Sequence, residues 1–94
     1  MFSKSVYKIP GGKLVKINLE YDEASKKIIN VGITGDFFAY PEESIDVLEK
    51  ELQDVTLIKK DIYRKIDETI KSNNFKFIGL NSEGLTEGIL RCLK

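Results

Sequence analysis

Four short clusters carry the side chains that could take part in chemistry. In "IPGGKL" (9–14) a proline precedes two glycines and a lysine, and Lys8 and Lys13 flank the glycines. Backbone N–H groups freed by Gly11 and Gly12, beside two ammonium groups, are the parts of an anion contact. The spacing departs from the nucleotide-binding loop GxxxxGK(S/T), because the first glycine is absent and Leu14 replaces the hydroxyl. A strand pattern follows, whereas a phosphate loop opens a helix. The segment reads as a Pro–Gly turn feeding a strand, with an anion contact supplied to a partner's site as the functional alternative.

Cys92 is the only cysteine, and the chain has no histidine. A reactive thiol needs a base or a positive surrounding to become thiolate. Cys92 lies beside Leu93 near the end of an amphipathic segment, which predicts a half-buried structural thiol. Glu42, Glu43 and Asp46 are close enough in sequence to suggest a metal cluster. Their predicted place in a first helical turn is what dipole complementation asks for, and no further ligand is spaced to join them. No metal site and no catalytic residue is assigned.

The fourth cluster is harder to dismiss. "GITGDFFAYPEES" (32–44) holds Phe37, Phe38 and Tyr40 within four residues. Successive residues of an extended chain point to opposite sides, so the two phenylalanines do not share one core. One plugs the junction of sheet and helices; the other faces a partner or ligand surface, where aromatic residues are enriched. The sequence leaves both assignments of the pair open.

The elements that must position these groups follow from periodicity. Residues 1–12 read as an extended arm ending in a turn. "KLVKINLEYD" alternates, with Val15, Ile17, Leu19 and Tyr21 on one face. "IINVGITG" repeats the pattern with Ile29, Val31 and Ile33, and the polar "DEASKK" joins the two as an antiparallel hairpin. Pro41 then takes a first helical position ahead of Ile45, Leu48 and Leu52. Asp61 opens a second helix carrying Ile62, Ile66 and Ile70, and "KSNN" closes it with Asn in a left-handed cap. "FKFIGL" is a third strand or a connector. Ser82 caps a last helix with Leu85, Ile89 and Leu93, weakened by Gly84 and Gly88. The expected fold is α+β: a small antiparallel sheet built on an N-terminal hairpin and packed by about three helices, in one domain over 1–94.

Composition narrows the function classes. Fifteen basic and fifteen acidic residues balance, so the chain lacks the basic surplus of a free nucleic-acid binder. No apolar run approaches the roughly 20 residues of a membrane span, and "MFSKSVYK" lacks a signal peptide's apolar core. A single cysteine suits a reducing compartment, so the expected location is cytoplasmic.

Two motifs add a resemblance. "GDFFAYPEESIDVLEKEL" resembles the GDFF-x-x-PEE signature of the C-terminal accessory domain of lipoate–protein ligases. "KIPGGKLVKINLEYDEASKKIINVGITGDFF" resembles that domain's opening hairpin, with its K-x-x-GGKL start. The match runs from Lys8 to Glu51; beyond it only a similar run of helices continues. The family's catalytic domain, with its arginine–glycine motif and catalytic lysine, is missing here, and 94 residues could not hold it.

The resemblance implies an accessory subunit encoded apart from its catalytic partner, forming a heterodimer and inactive alone. It implies a ligase that makes lipoyl-adenylate from lipoate and ATP, then passes the lipoyl group to a lysine of an acceptor domain. ATP, Mg and lipoate belong to the complex with the catalytic subunit; none is expected on this chain alone. Acceptor domains are met only indirectly. Its expected interface or active-site rim comprises Lys8, Gly11, Gly12, Lys13, Gly35, Asp36, Phe37, Phe38, Tyr40 and Pro41. In that frame Gly35 lets the strand turn, and Asp36 satisfies N–H groups of the turn or pairs with a cation across the interface. Two other classes stay open. A free-standing scaffold of iron–sulfur or sulfur-transfer assembly would need Cys92 exposed; a lone metabolite-binding module would use "IPGGK" as its anion site.

Overall fold

In the computed structural model, which describes residues 1–93, the alternating residues of "LVKINLEYD" form strand β2 (Leu14–Asp22) and bury Val15, Ile17 and Leu19. Strand β3 (Lys27–Gly35) pairs with it antiparallel, forming the expected hairpin. The opening residues are extended but are not a free arm. Strand β1 (Phe2–Lys8) pairs antiparallel with β2 from Phe2↔Glu20 to Lys8↔Leu14, giving the sheet order β1-β2-β3. Ser3, Ser5 and Tyr7 turn inward in β1, and the two serines donate to the carbonyls of Cys92 and Gly88. Polar inward residues carry no apolar period, so the strand is hard to see in sequence.

The inward set of β3 also differs from simple alternation. Between Glu20↔Asn30 and Tyr21↔Ile28 the register shifts, leaving Ile29 as the extra residue of a β-bulge. Ile28 therefore enters the core with Val31 and Ile33, while Ile29 is 42% exposed. One added residue reverses the facing of everything beyond it.

Three helices cover the inner face of the sheet: α1 (Ser44–Glu51), α2 (Lys59–Ser72) and α3 (Ser82–Arg91). Helix α1 begins three residues later than expected. The Tyr40–Pro41 peptide is cis, Pro41 accepts the Ser44 N–H at 3.0 Å, and Glu43 is the N-cap. Pro41 and Glu42 thus belong to the turn before the helix, and Asp46 is the acid of its first turn. Leu48 and Leu52 are buried and Ile45 is half-buried. Helix α2 starts before Asp61, buries Ile62 and Ile66, and is followed by Asn74 at φ 55°, the left-handed asparagine expected of "KSNN".

Asn81 replaces Ser82 as the cap of α3. Its side-chain oxygen accepts the Gly84 N–H at 2.6 Å, and Ser82 Oγ donates to Asp67 Oδ1 at 2.9 Å, joining α3 to α2. Leu85 and Ile89 are buried, whereas Leu93 lies past the helix and is 40% exposed. A Cβ on Gly84 would stand 2.7 Å from the Ile9 side chain. The glycine that weakens the helix is what lets it lie against the β1–β2 turn. Among the described residues, no helix is long and apolar enough to cross a membrane.

Candidate interaction site

"FKFIGL" becomes strand β5 (Lys76–Ile78), but outside the main sheet. It pairs antiparallel with β4 (Phe38–Tyr40) in a separate two-stranded ribbon, with partners Phe38↔Ile78, Ala39↔Phe77 and Tyr40↔Lys76. Period-two alternation puts Phe38, Tyr40, Ile78 and Lys76 on one face. Phe38 is 57% exposed, Tyr40 53% and Ile78 56%, a contiguous apolar patch at the ribbon's outer face. Phe77, on the other face, packs against the core. Phe37 packs there too, so the structure assigns the pair: Phe37 is the inward anchor and Phe38 the outward one.

The two sequence motifs meet at this ribbon. Lys13 donates its backbone N–H to the Gly79 carbonyl at 2.9 Å, and Asp36 donates its own to the Leu14 carbonyl at 3.1 Å. Gly79 follows β5 and Gly35 precedes β4, so one dipeptide, Lys13–Leu14, holds both strands of the ribbon at the same end. Close approach is possible only because both positions lack a side chain. A Cβ on Gly35 would lie 2.2 Å from the Leu14 carbonyl oxygen; Gly79, at φ +86°, has Lys13 Cγ 2.2 Å from where its Cβ would be.

The lysines of the turn divide in role. Lys8 Nζ donates to the carbonyls of Ile9 and Gly12, and Gly12 N–H donates to the Ile9 carbonyl at 2.8 Å. The Lys8 ammonium therefore closes its own turn, around an exposed Gly11 at φ 73°. Lys13 is exposed, with the first carbons of its stem against Gly79. The ion pairs among the described residues are Arg64–Asp61, Lys65–Glu51, Lys71–Asp67 and Arg91–Glu87, and none includes Lys8 or Lys13. Asp36 and Pro41 are exposed at the two ends of β4.

The remaining candidates separate from this site. Cys92 is 3% exposed, with Sγ 3.5 Å from Ser5 Oγ. Burial pushes its thiol pKa up, against a smaller opposing effect of the Ser5 hydroxyl. That is the reverse of what a nucleophile or an exchanging sulfur requires. Glu42, Glu43 and Asp46 are exposed, and among the described residues no group of three or more His, Cys, Asp or Glu side chains could hold a metal ion. Ile78 and Lys76 were not singled out by sequence. Their signal was the short alternation in "FKFI", whose match to "FFAY" becomes meaningful only once the two segments pair.

Comparison with known proteins gives two findings. The family model described as bacterial lipoate protein ligase C-terminus matches residues 7–89. Among solved structures, the chain is similar to one from an archaeal lipoylation system, described as a bi-partite lipoate protein ligase and its E2 lipoyl domain from Thermoplasma acidophilum. The TM-score is 0.80 at 25% identity, covering 95% of this chain and 94% of the other. Comparison with curated proteins finds no significant match.

Proposed function

Because the chain belongs to the family of the bacterial lipoate protein ligase C-terminus, we propose that it is the accessory subunit of a two-component lipoate–protein ligase. The observation that carries this reading is the near-complete mutual coverage with a chain of a bi-partite ligase system: 95% of one and 94% of the other. A chain of this size and fold thus occurs in a ligase made of two parts.

On this reading the subunit docks through the ribbon, with Phe38, Tyr40 and Ile78 as its apolar anchors. Exposed aromatic residues held on a rigid element cost little entropy on binding, and such residues dominate interface energetics. The catalytic subunit supplies the groups that hold ATP, Mg and lipoate. This chain's contribution is positional. Adenylation brings a charged triphosphate and a carboxylate together in a site that must exclude water, so preorganisation matters most at that step. A docked domain orders the partner's loops without touching the reacting atoms. The preformed adenylate is already activated and asks less of its surroundings. The buried Cys92 leaves the sulfur-transfer scaffold without its reactive group.

Two assays test the proposal, each using a catalytic subunit that lacks its own accessory domain, with and without this chain. Pyrophosphate release from lipoate and ATP should rise strongly when the chain is added. Modification of saturating acceptor from synthetic lipoyl-adenylate should change little. Equal stimulation of both would reassign the domain to acceptor recruitment. Stimulation of neither would remove the subunit assignment.

A further inference from the structure

The two edges of the main sheet are treated differently. Odd-numbered residues of β2 pair by hydrogen bonds with β1, as the bonded ends Met1/Tyr21 and Ile9/Lys13 fix, so β3's odd residues face its outer edge. That edge is covered. Ile33 N–H donates to Glu49 Oε2 at 2.8 Å; beyond the bulge, Ile28 N–H donates to the Val55 carbonyl at 2.9 Å and the Ile28 carbonyl accepts from Asp54 N–H at 2.8 Å. Thr56 adds an isolated bridge to Lys27.

The β1 edge has no such cover. By the same alternation, the amides of Phe2, Lys4, Val6 and Lys8 point away from β2, and among the described residues no backbone or side-chain group is bonded to them. Those same residues project from the sheet's outer face. Phe2 is 78% exposed and Val6 63%, alternating with Lys4 and Lys8. Lys16 lies opposite Val6 on β2, and none of these lysines has a carboxylate within ion-pair distance among the described residues. A seven-residue open edge with exposed apolar residues is a template for another strand.

We infer that β1 is a strand-addition site, and that its occupant is an extended segment of the partner polypeptide with acidic residues alternating with apolar ones. Strand addition sets side chains of the incoming segment directly opposite Phe2, Lys4 and Val6, where opposite charges and apolar pairs attract, whereas the Lys8 ammonium is already bonded within its own turn. The chain has no net charge, but Lys4 and Lys16 stand on this face beside Val6, while the outward Glu20 opposite Phe2 accepts from Asn30 Nδ2, so an acidic segment is complementary around Lys4 and Val6. A second copy is disfavoured, because it would bring two sets of Lys4 and Lys16 together. The inference rests on the two-component reading, in which the partner is the catalytic subunit, and it adds a contact separate from the aromatic ribbon.

Amide hydrogen exchange on the complex with the catalytic subunit tests this. The Lys4 and Val6 amides should exchange at least tenfold more slowly in the complex than in the free chain. Val6→Pro removes a donor that β2 does not use, so the fold should tolerate it, as edge strands tolerate proline. It should weaken the complex by more than about tenfold, while Val6→Thr, which keeps the amide, should weaken it far less. Lys4→Glu should weaken it further at low salt, with the effect fading as salt rises. If β1 exchanges equally in both states while Phe38–Tyr40 becomes protected, strand addition is wrong and the ribbon docking stands. If no complex forms, both fail. Protection of β1 in the free chain that grows with its concentration would assign the edge to self-association instead.

Discussion

The carbonyl of Gly79 accepts the backbone N–H of Lys13 at 2.9 Å, and this one bond ties the glycine–lysine turn to the Phe38/Ile78 end of the aromatic ribbon. With Asp36 N–H on the Leu14 carbonyl, it makes the turn a clamp for β4 and β5. The "GGKL" motif thereby sets where the ribbon stands.

Gly35 is the tightest point of that clamp. Gly35→Ala places a methyl group 2.2 Å from the Leu14 carbonyl oxygen, which is backbone and cannot swing aside. The expected cost is about 2 kcal/mol or more of stability, read by denaturant unfolding. A variant as stable as the parent would show that the clamp is loose.

The two phenylalanines should separate cleanly. Phe37→Ala removes a partly buried core residue and should cost roughly 2 kcal/mol of stability. Phe38→Ala should leave unfolding nearly unchanged and weaken association with the catalytic subunit by over about 1 kcal/mol. Paired titration calorimetry and thermal melts distinguish the cases, and unchanged association for Phe38→Ala would remove the ribbon from the interface.

Asp67 links α2 to α3 and should show in the pH dependence of stability. Its carboxylate takes Lys71 Nζ at 2.8 Å and Ser82 Oγ at 2.9 Å, and the hydrogen bond from Lys71 is the larger cause holding its pKa below the ordinary aspartate value. A lowered folded-state pKa contributes stability above the unfolded value, lost as pH falls through the folded one. Acid melts below about pH 4 should therefore destabilise the parent more than Asp67→Asn, which keeps a hydrogen-bond acceptor but does not titrate. Identical acid profiles would contradict this.

Cys92 should resist labelling. A thiol reagent at neutral pH should modify the folded chain far more slowly than the chain in denaturant, because the sulfur is buried and its thiolate is disfavoured. Rapid labelling of the folded chain would revive the sulfur-transfer class.

Much of this protein was legible in its residues. Val15, Ile17 and Leu19 alternate and are buried; Leu48 and Leu52, Ile62 and Ile66, and Leu85 and Ile89 recur at helical spacing and are buried. Such periods are local, since they follow from the geometry of one strand or one helix meeting one apolar face. The family motifs around "GGKL" and "GDFF" were equally visible, as was the prospect that only one phenylalanine faces inward.

What the tertiary structure alone decided concerns pairing between distant segments. Polar Ser3 and Ser5 hide β1 until the carbonyls of Gly88 in α3 and of its C-cap Cys92 receive them. The bulge at Ile29 exchanges it for Ile28, although both are isoleucine and no local rule separates them. Phe38 is outward because β5, nearly forty residues later in the chain, pairs with β4 in one register; a slip of one residue would turn Phe38 inward. Lys8 closes its own turn because two carbonyls, of Ile9 and Gly12, stand beside it once the chain reverses. Composition and period set which elements form and which faces are apolar. Long-range hydrogen-bond register, which no window of sequence contains, sets which of those faces is left for a partner.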